Sequence, residues 1–195
     1  MRPVIVPIDV PQPPEQVCGF LDVMAHHERF TDHCPTGWRY SGPERGTGSR
    51  ATVTARLGGT RTDVTIEVVE AEPPRRIVER NVSAAGRRLS HGTYTIEPLP
   101  AGGSRVSFTY GWVRAPLADR LAAPVVRATT RRANRTVMRR LAAELARHGP
   151  LPDPDAPARP EEPAPPGARS RSGRAGAPAP FPPATAADGT GPRPR

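Results

Sequence analysis

Apolar and polar residues alternate from Trp38 to Val113, and this period of two constrains the fold more than any other feature of the chain. Alternation of this kind is typical of β-strands that bury one face. The alternating runs are separated by short turns that contain Gly or Pro, at positions 58–59, 73–74, 84–86 and 101–103. Consecutive strands joined by such turns predict an antiparallel meander that is covered on one side.

Two different patterns precede the meander. Residues 3–11, PVIVPIDVP, alternate between prolines and predict a first strand near a sheet edge. The next segment has four apolar residues at helical spacing: Val17, Phe20, Leu21 and Met24. Because two prolines stand just before them, a short helix is predicted there. The histidine-rich stretch that follows from Ala25, ending at CPTG (residues 34–37), predicts a second short helix or an irregular segment.

The last apolar pattern of the folded region predicts the cover of the sheet. Its apolar and small residues recur every four positions: Leu121, Val125, Thr129, Ala133, Val137, Leu141 and Leu145. We expect a long amphipathic helix that lays this face on the sheet. Pro124 should kink the helix or separate its first turns, and Gly149 with Pro150 should end it.

Composition divides the chain of 195 residues into two parts. Residues 150–195 hold 14 of the 27 prolines and almost no large apolar side chains, so they cannot bury enough surface to become ordered. We therefore expect one folded domain, residues 1–149, and a disordered Pro/Ala/Arg-rich tail, residues 150–195. The sequence shows no leader pattern, no apolar run of membrane-spanning length and only two cysteines, from which we expect a cytoplasmic protein without membrane insertion.

Basic residues give the chain a formal net charge of +9. All of them are arginine, and the excess of positive charge lies in residues 114–147, which contain nine arginines and only two acids, Asp119 and Glu144. Four of these arginines form a stripe on the predicted helix, at positions 127, 131, 135 and 139. The stripe could bind phosphates or an acidic partner, but a solvated helix face is the preferred interpretation. Since no aromatic residues are interleaved with it, we do not expect a nucleic-acid partner.

Four segments of the chain carry motifs that occur together in one superfamily: PPEQVCGFLDV, SGPERGTGSRATV, VVEAEPPRRIV and YTIEPLPAGGSRVSFTY. Over most of residues 4–147 they make the chain resemble the START-like (SRPBCC) superfamily, and within it the bacterial polyketide cyclase/dehydrase-like members. Two residues depart from the family pattern, Cys18 where an aromatic is usual and Ser104 where Thr is usual. The motifs are structural, so they indicate the fold better than the ligand.

The resemblance implies an α+β helix-grip fold, in which a curved antiparallel sheet wraps around a long C-terminal helix and two short helices follow the first strand. It also implies a cavity between sheet and helix for a small hydrophobic or aromatic, lipid- or polyketide-like molecule, with no cofactor. We expect nine residues to line it: Trp38, Val53, Ile66, Tyr94, Phe108, Tyr110, Trp112, Val137 and Met138. Ordinary core packing is the alternative, but the polar groups of Tyr and Trp on one inner face favour a cavity.

Three functions stay open at this stage. The first is a carrier that binds its ligand without covalent chemistry. The second is an enzyme resembling aromatic polyketide cyclases, in which Tyr, His or Arg side chains assist proton transfer and dehydration. The third and weakest is a macromolecule-binding module that uses the basic helix.

Three of the five histidines, His26, His27 and His33, lie close together in the sequence beside Cys34. On a helix His26 and His33 would be about 10 Å apart, too far to hold one ion, so no metal site is expected. In the resembled fold this stretch borders the cavity. Its histidines are therefore either solvated lid residues or groups that contact ligand, and the catalytic candidates are His27, His33 and Tyr110.

Strand parity raises one further question. Glu79 and Arg80 alternate in mid-strand, and whichever side chain faces inward must be paired or serve a ligand, because an unpaired buried charge is costly. Parity alone does not decide between them. His91 has the opposite parity to Tyr94 and is expected on the outer face.

Overall fold

The computed structural model describes residues 1–31, 35–57, 60–83 and 85–148. His33, Cys34, Gly149, Pro150 and the predicted tail lie outside the described residues. Within the described ranges the chain forms seven strands, β1 Val4–Val10, β2 Pro35–Ser41, β3 Arg50–Leu57, β4 Thr60–Glu72, β5 Arg76–Ser83, β6 Arg88–Pro98 and β7 Ser104–Arg114. The same ranges contain the helices α1 Pro14–Leu21, α2 His27–Thr31, α3 Leu117–Leu121 and α4 Ala123–His148.

One antiparallel sheet contains all seven of these strands, in the order β1-β7-β6-β5-β4-β3-β2. From β2 to β7 each strand pairs with the next in sequence, so the predicted meander is confirmed. β1 pairs with the last strand, with Val4 opposite Tyr110 and Val10 opposite Ser104. The edge strand β2 begins at Pro35, within the stretch ending at Gly37 for which the sequence predicted a second helix or an irregular segment. The predicted α+β helix-grip fold is confirmed.

The hydrophobic core lies where α1 and the C-terminal half of α4 meet one half of the sheet. From α1 and the single 3₁₀ turn at Met24–His26, the predicted face is buried, including Val17, Leu21 and Met24. The sheet contributes residues on one face, which are Val4, Val6, Val10, Val53, Ile77, Tyr94, Ile96, Val106 and Phe108. The core therefore joins the first and last strands to both helices.

The long helix does not bury the predicted row of residues along its whole length. Met138, Leu141 and Leu145 are buried, but Leu121 and Val125 are 87% and 65% exposed. Successive residues turn by about 100° around a helix axis, so a spacing of four drifts by about 40° per step. Accumulated from Leu145 back to Val125, near the start of α4, this drift is about 200°, which carries Val125 to the opposite side of the helix. Leu121 belongs to the separate helix α3.

The helix is divided as Pro124 predicts. α3 ends at Leu121 and α4 begins at Ala123, with Pro124 in its first turn, where the missing backbone N–H costs no helical hydrogen bond. Arg88 donates two hydrogen bonds to Asp119, at 2.6 and 2.9 Å, and so joins α3 to the start of β6. No helix among the described residues is long and apolar enough to span a membrane.

Candidate functional site

A buried ionisable pair joins α2 to the inner face of the sheet. His27 and Glu79 are only 3% and 5% exposed, and Nδ1 of His27 lies 3.0 Å from Oε1 of Glu79. The other ring nitrogen, Nε2, donates a hydrogen bond of 2.7 Å to the backbone carbonyl oxygen of Leu21. Both ring nitrogens of His27 therefore have polar partners in an otherwise apolar setting.

These contacts fix the number of protons that the pair holds. A carbonyl oxygen only accepts, so Nε2 must carry a hydrogen. Nδ1 then faces a carboxyl group, and a stable contact needs one proton between them, either on His27 as imidazolium or on Glu79 as carboxylic acid. Oε1 has no well-aligned hydrogen-bond donor among the described residues, so the contact is chiefly an ion pair.

Charge and burial act on the pKa of His27 in opposite directions. Burial, the largest influence, lowers it, but attraction to Glu79 and the bond to the Leu21 carbonyl together raise it by more. The net effect is a raised pKa, which favours the imidazolium–carboxylate form near neutral pH. Two opposite charges in an apolar interior make a polar centre that can hold or move a proton.

Aromatic residues and a glycine form the wall around Glu79. The ring of Tyr94 stands edge-on to that of His27, with 6.0 Å between centroids, and contacts Phe108 at 4.6 Å. Burial, and then the charge of Glu79, raise the pKa of Tyr94, so this phenol stays protonated. Gly92 leaves the space: a Cβ there would lie 3.0 Å from the Phe108 ring and 3.2 Å from Oε2 of Glu79.

The register of β5 decides the question that parity left open. Glu79 lies opposite Val68 on β4 and Gly92 on β6 and faces inward, whereas Arg80 faces out and donates to Glu67. The predicted outward position of His91 is also found. Sequence reasoning noted both His27 and Glu79 but did not join them. An inward carboxylate needs a partner, but the sequence does not identify that partner because the contact depends on the register of the sheet.

Beyond the buried pair, the inner face of the sheet is only partly covered by α4, and we call this partly covered region the cleft. α4 lies closest to β1 and α2, and apolar side chains on the covered face of the other strands are only half-buried. Four of the nine predicted lining residues belong to this group, namely Trp38, Ile66, Tyr110 and Trp112, and the predicted lining residue Val137 on α4 is also half-buried. Half-burial on a covered face is typical of the walls of a cleft, because a closed core would bury these side chains completely.

The other four predicted lining residues, Val53, Tyr94, Phe108 and Met138, are buried in the core. Contact between them and a ligand stays a prediction. Of these four, Tyr94 contacts the ring of His27, and Phe108 lies next to Gly92 beside Glu79.

Polar groups cross the cleft side of the sheet in a row. Glu79, Gly92 and Tyr110 lie side by side on β5, β6 and β7. Ser90, in the next row, donates a hydrogen bond of 2.8 Å to the Tyr110 hydroxyl. Burial raises the pKa of Tyr110, against the opposing influence of Ser90. The catalytic candidate Tyr110 therefore lies on the same face as Glu79 with only Gly92 between them.

Three buried N–H groups around the cleft have no hydrogen-bond partner among the described residues. They are Nε1 of Trp38 on β2, and Nε of Arg127 and Nδ2 of Asn134 on α4. Arg127 and Asn134 are two turns apart on the side of α4 that also carries Met138, about 10 Å along the axis. A buried donor without a partner costs about 1–3 kcal/mol, so each of these groups would gain from a hydrogen-bond acceptor.

His26 and Cys18 have structural roles. His26 donates to the Phe20 carbonyl at 2.9 Å and stacks on the Phe20 ring, and burial lowers its pKa. The thiol of Cys18 is buried, which raises its pKa to about 11 with help from the nearby acids Asp22 and Glu15. Among the described residues no group of three His, Cys, Asp or Glu side chains could hold a metal ion.

Comparisons with known proteins agree with this architecture. The sequence model of one family, described as polyketide cyclase/dehydrase and lipid transport, matches residues 1–146. TTHA0849 of Thermus thermophilus is 18% identical with a TM-score of 0.59, over 76% of this chain and 100% of that chain. MLL2253 of Mesorhizobium loti is 20% identical with a TM-score of 0.56, over 77% of this chain and 100% of that chain.

DynU16, from the dynemicin biosynthetic locus, is 19% identical with a TM-score of 0.53, and the match covers 74% of this chain and 47% of that chain. This chain therefore corresponds to about half of DynU16. At these identities the solved structures support the fold alone. No curated protein matches the sequence.

Proposed function

Because the chain belongs to the polyketide cyclase/dehydrase and lipid transport family, we propose that it binds a small hydrophobic or aromatic molecule in the cleft between the sheet and α4. The half-buried aromatic and aliphatic side chains on the covered face of the sheet carry this proposal. They offer an apolar surface of the right shape for a flat molecule, and α4 stands away from it on the other side.

The buried N–H groups without a hydrogen-bond partner indicate which polar groups the ligand carries. Trp38, Arg127 and Asn134 all present N–H groups, and none of these three groups is an acceptor. A ligand that satisfies them carries oxygen acceptors, such as carbonyl, phenolate or carboxylate groups, on an apolar skeleton. A pure hydrocarbon would leave the same donors buried and unpaired.

Native mass spectrometry of the full chain purified from its own host tests the proposal directly, because a bound molecule adds its mass to the folded protein. Both tryptophans of the chain, Trp38 and Trp112, lie in the cleft, so their fluorescence reports binding in solution. We expect 2-naphthoate to quench it at lower concentration than naphthalene, since only the first has acceptor oxygens.

Two substitutions on β4 test where the ligand binds. Ile66→Phe fills the cleft wall and should weaken binding of 2-naphthoate about tenfold or more. Val69→Phe adds the same ring at an exposed position of the same strand and should leave binding unchanged. Equal effects of the two variants, or equal affinity for naphthoate and naphthalene, would contradict the proposal.

A second function is favoured by one observation, the buried His27–Glu79 pair on the covered face of the sheet. We infer a cyclase-like role in which Glu79 takes a proton from the carbon beside a ligand carbonyl, and the resulting enolate is held near the Tyr110 hydroxyl. Such proton removal is the first step of ring closure in a polyketone.

Exchange of deuterium into the methyl group of 2-acetylnaphthalene, followed by NMR in D₂O, measures this step without a known substrate. The protein should accelerate exchange, and Glu79→Gln should abolish the acceleration while tryptophan quenching by the ketone persists. Binding without any accelerated exchange would leave the carrier function and exclude the enzymatic one for this ketone class.

A further inference from the structure

One end of the molecule exposes large apolar side chains that the fold does not use. Val113 at the end of β7, Leu117 and Leu121 on α3, and Val125 at the start of α4 are 60%, 74%, 87% and 65% exposed. They fall within one short segment of chain, and Leu117 and Leu121 are one helical turn apart on α3. An exposed group of bulky apolar side chains indicates an interaction surface.

Arginines surround the same segment. A groove of about 390 Å³ on the flank of α4 is lined by Pro124, Arg127, Ala128, Arg131, Arg132 and Arg135. None of these four arginines has a carboxylate partner within 4.0 Å in the part of the chain that the structure describes. The groove is therefore a cluster of uncompensated positive charge directly beside the apolar group.

Both features lie at the end of the domain that is opposite the core helix α1. The β5–β6 turn, the end of β7 and α3 are at this end, as the Arg88–Asp119 bond between β6 and α3 demonstrates. The core helix α1 and the C-terminus of α4 lie at the other, where Phe20 contacts His148.

We propose that this end of the protein docks on an anionic lipid bilayer. Leu117, Leu121 and Val125 enter the headgroup region, and the exposed groove arginines Arg131, Arg132 and Arg135 contact lipid phosphates. An interfacial helix with apolar side chains on one side and arginines beside them has this composition, and negative lipid headgroups supply the charge that the groove lacks. The tail as a whole, residues 150–195, carries six arginines and five acids, so it supplies no net negative charge for the groove.

Sedimentation of the full chain with vesicles tests the proposal. We expect binding to vesicles of equal parts phosphatidylglycerol and phosphatidylcholine and little binding to phosphatidylcholine alone. Raising NaCl from about 0.05 M to about 0.5 M should release most of the protein, because salt screens exposed charges. No binding to the anionic vesicles would overturn the proposal, and an acidic protein would then be the better partner for the arginines.

Matched variants separate the two contributions. Leu117→Ser with Leu121→Ser should weaken vesicle binding at least tenfold, whereas Ile5→Ser, at an exposed apolar residue of β1, should not. Arg131→Gln with Arg132→Gln should weaken it about 25-fold, about fivefold for each arginine, whereas Arg75→Gln in the distant β4–β5 turn should have little effect. Equal losses in the control variants would show nonspecific adsorption and overturn the proposal. Circular dichroism checks that each variant is folded.

Discussion

Replacing Glu79 by Gln tests whether His27 is held as a cation by a buried carboxylate. The substitution keeps the shape of the side chain and removes its charge. Nε2 of His27 must still donate to the Leu21 carbonyl, so the neutral ring presents Nδ1 as an acceptor, and the new amide can donate to it. The variant should therefore fold, with its histidine neutral over a wider pH range.

The magnitude follows from the lost charge. Removing one member of a buried pair costs about 3–5 kcal/mol when the other stays charged, but His27 can release its proton. The expected loss near pH 6 is then about 1–3 kcal/mol, the value of a hydrogen bond to a charged group. The folded pKa of His27 is raised, so its stabilisation is complete below the unfolded pKa of about 6.5 and is lost as pH rises through the folded pKa.

Urea unfolding of the wild type and Glu79→Gln from about pH 6 to about pH 9 measures the difference. Wild-type free energy of unfolding should fall by up to about 1.4 kcal/mol per pH unit over the window between the two pKa values of His27. The variant should lack this fall, and the NMR titration of its His27 ring should move to lower pH. Parallel stability curves would refute the reasoning. His91→Gln, at an exposed histidine on the outer face, should leave the wild-type curve unchanged.

Three further substitutions probe the fold around the site. Leu141→Ala should lower the free energy of unfolding by about 2–5 kcal/mol because the side chain is fully buried. Leu121→Ala, at an exposed side chain, should change it by less than about 0.5 kcal/mol. Urea unfolding measures both, and similar losses would contradict the assigned burial of these two side chains. Gly92→Ala should lower the free energy of unfolding by about 1–3 kcal/mol and shift the titration of His27, because the added methyl group displaces Glu79 or Phe108. An unchanged titration of His27 would count against this contact. In a Cys34→Ser background, Cys18 should react with a thiol reagent at pH 8 only as fast as the protein opens, since burial raises its pKa to about 11; rapid reaction of the native protein would contradict that burial.

The strands could be predicted from the sequence because each one depends on local alternation. Residues such as Ile66 and Phe108 stand at the inward positions that parity assigned to them. The pairing of His27 with Glu79 could not be predicted, since the two residues are distant in sequence and their contact depends on sheet register. A bulge in β4, between Val68 and Glu70, is one example of a local event that changes register without an obvious sequence signal.

The sequence predicted the buried face of the covering helix correctly only in the C-terminal half of that helix. Leu141 and Leu145 are buried as expected, but a row of residues spaced by four winds around the helix and does not follow one face. Arg127 and Asn134 lie on the inward side instead, a position that an apolar pattern does not reveal. The polar donors of the candidate site were therefore missed for the same reason that Leu121 and Val125 were misplaced.

The uneven burial of α4 also has a consequence for motion. Met138, Leu141 and Leu145 anchor one half of this helix in the core, and the other half makes few apolar contacts with the sheet. Local opening free energies follow such differences in packing, so backbone amides early in α4 should exchange with solvent far faster than those near Leu141. The first turns of α4 would then open locally and admit a molecule, while its last turns keep the domain folded.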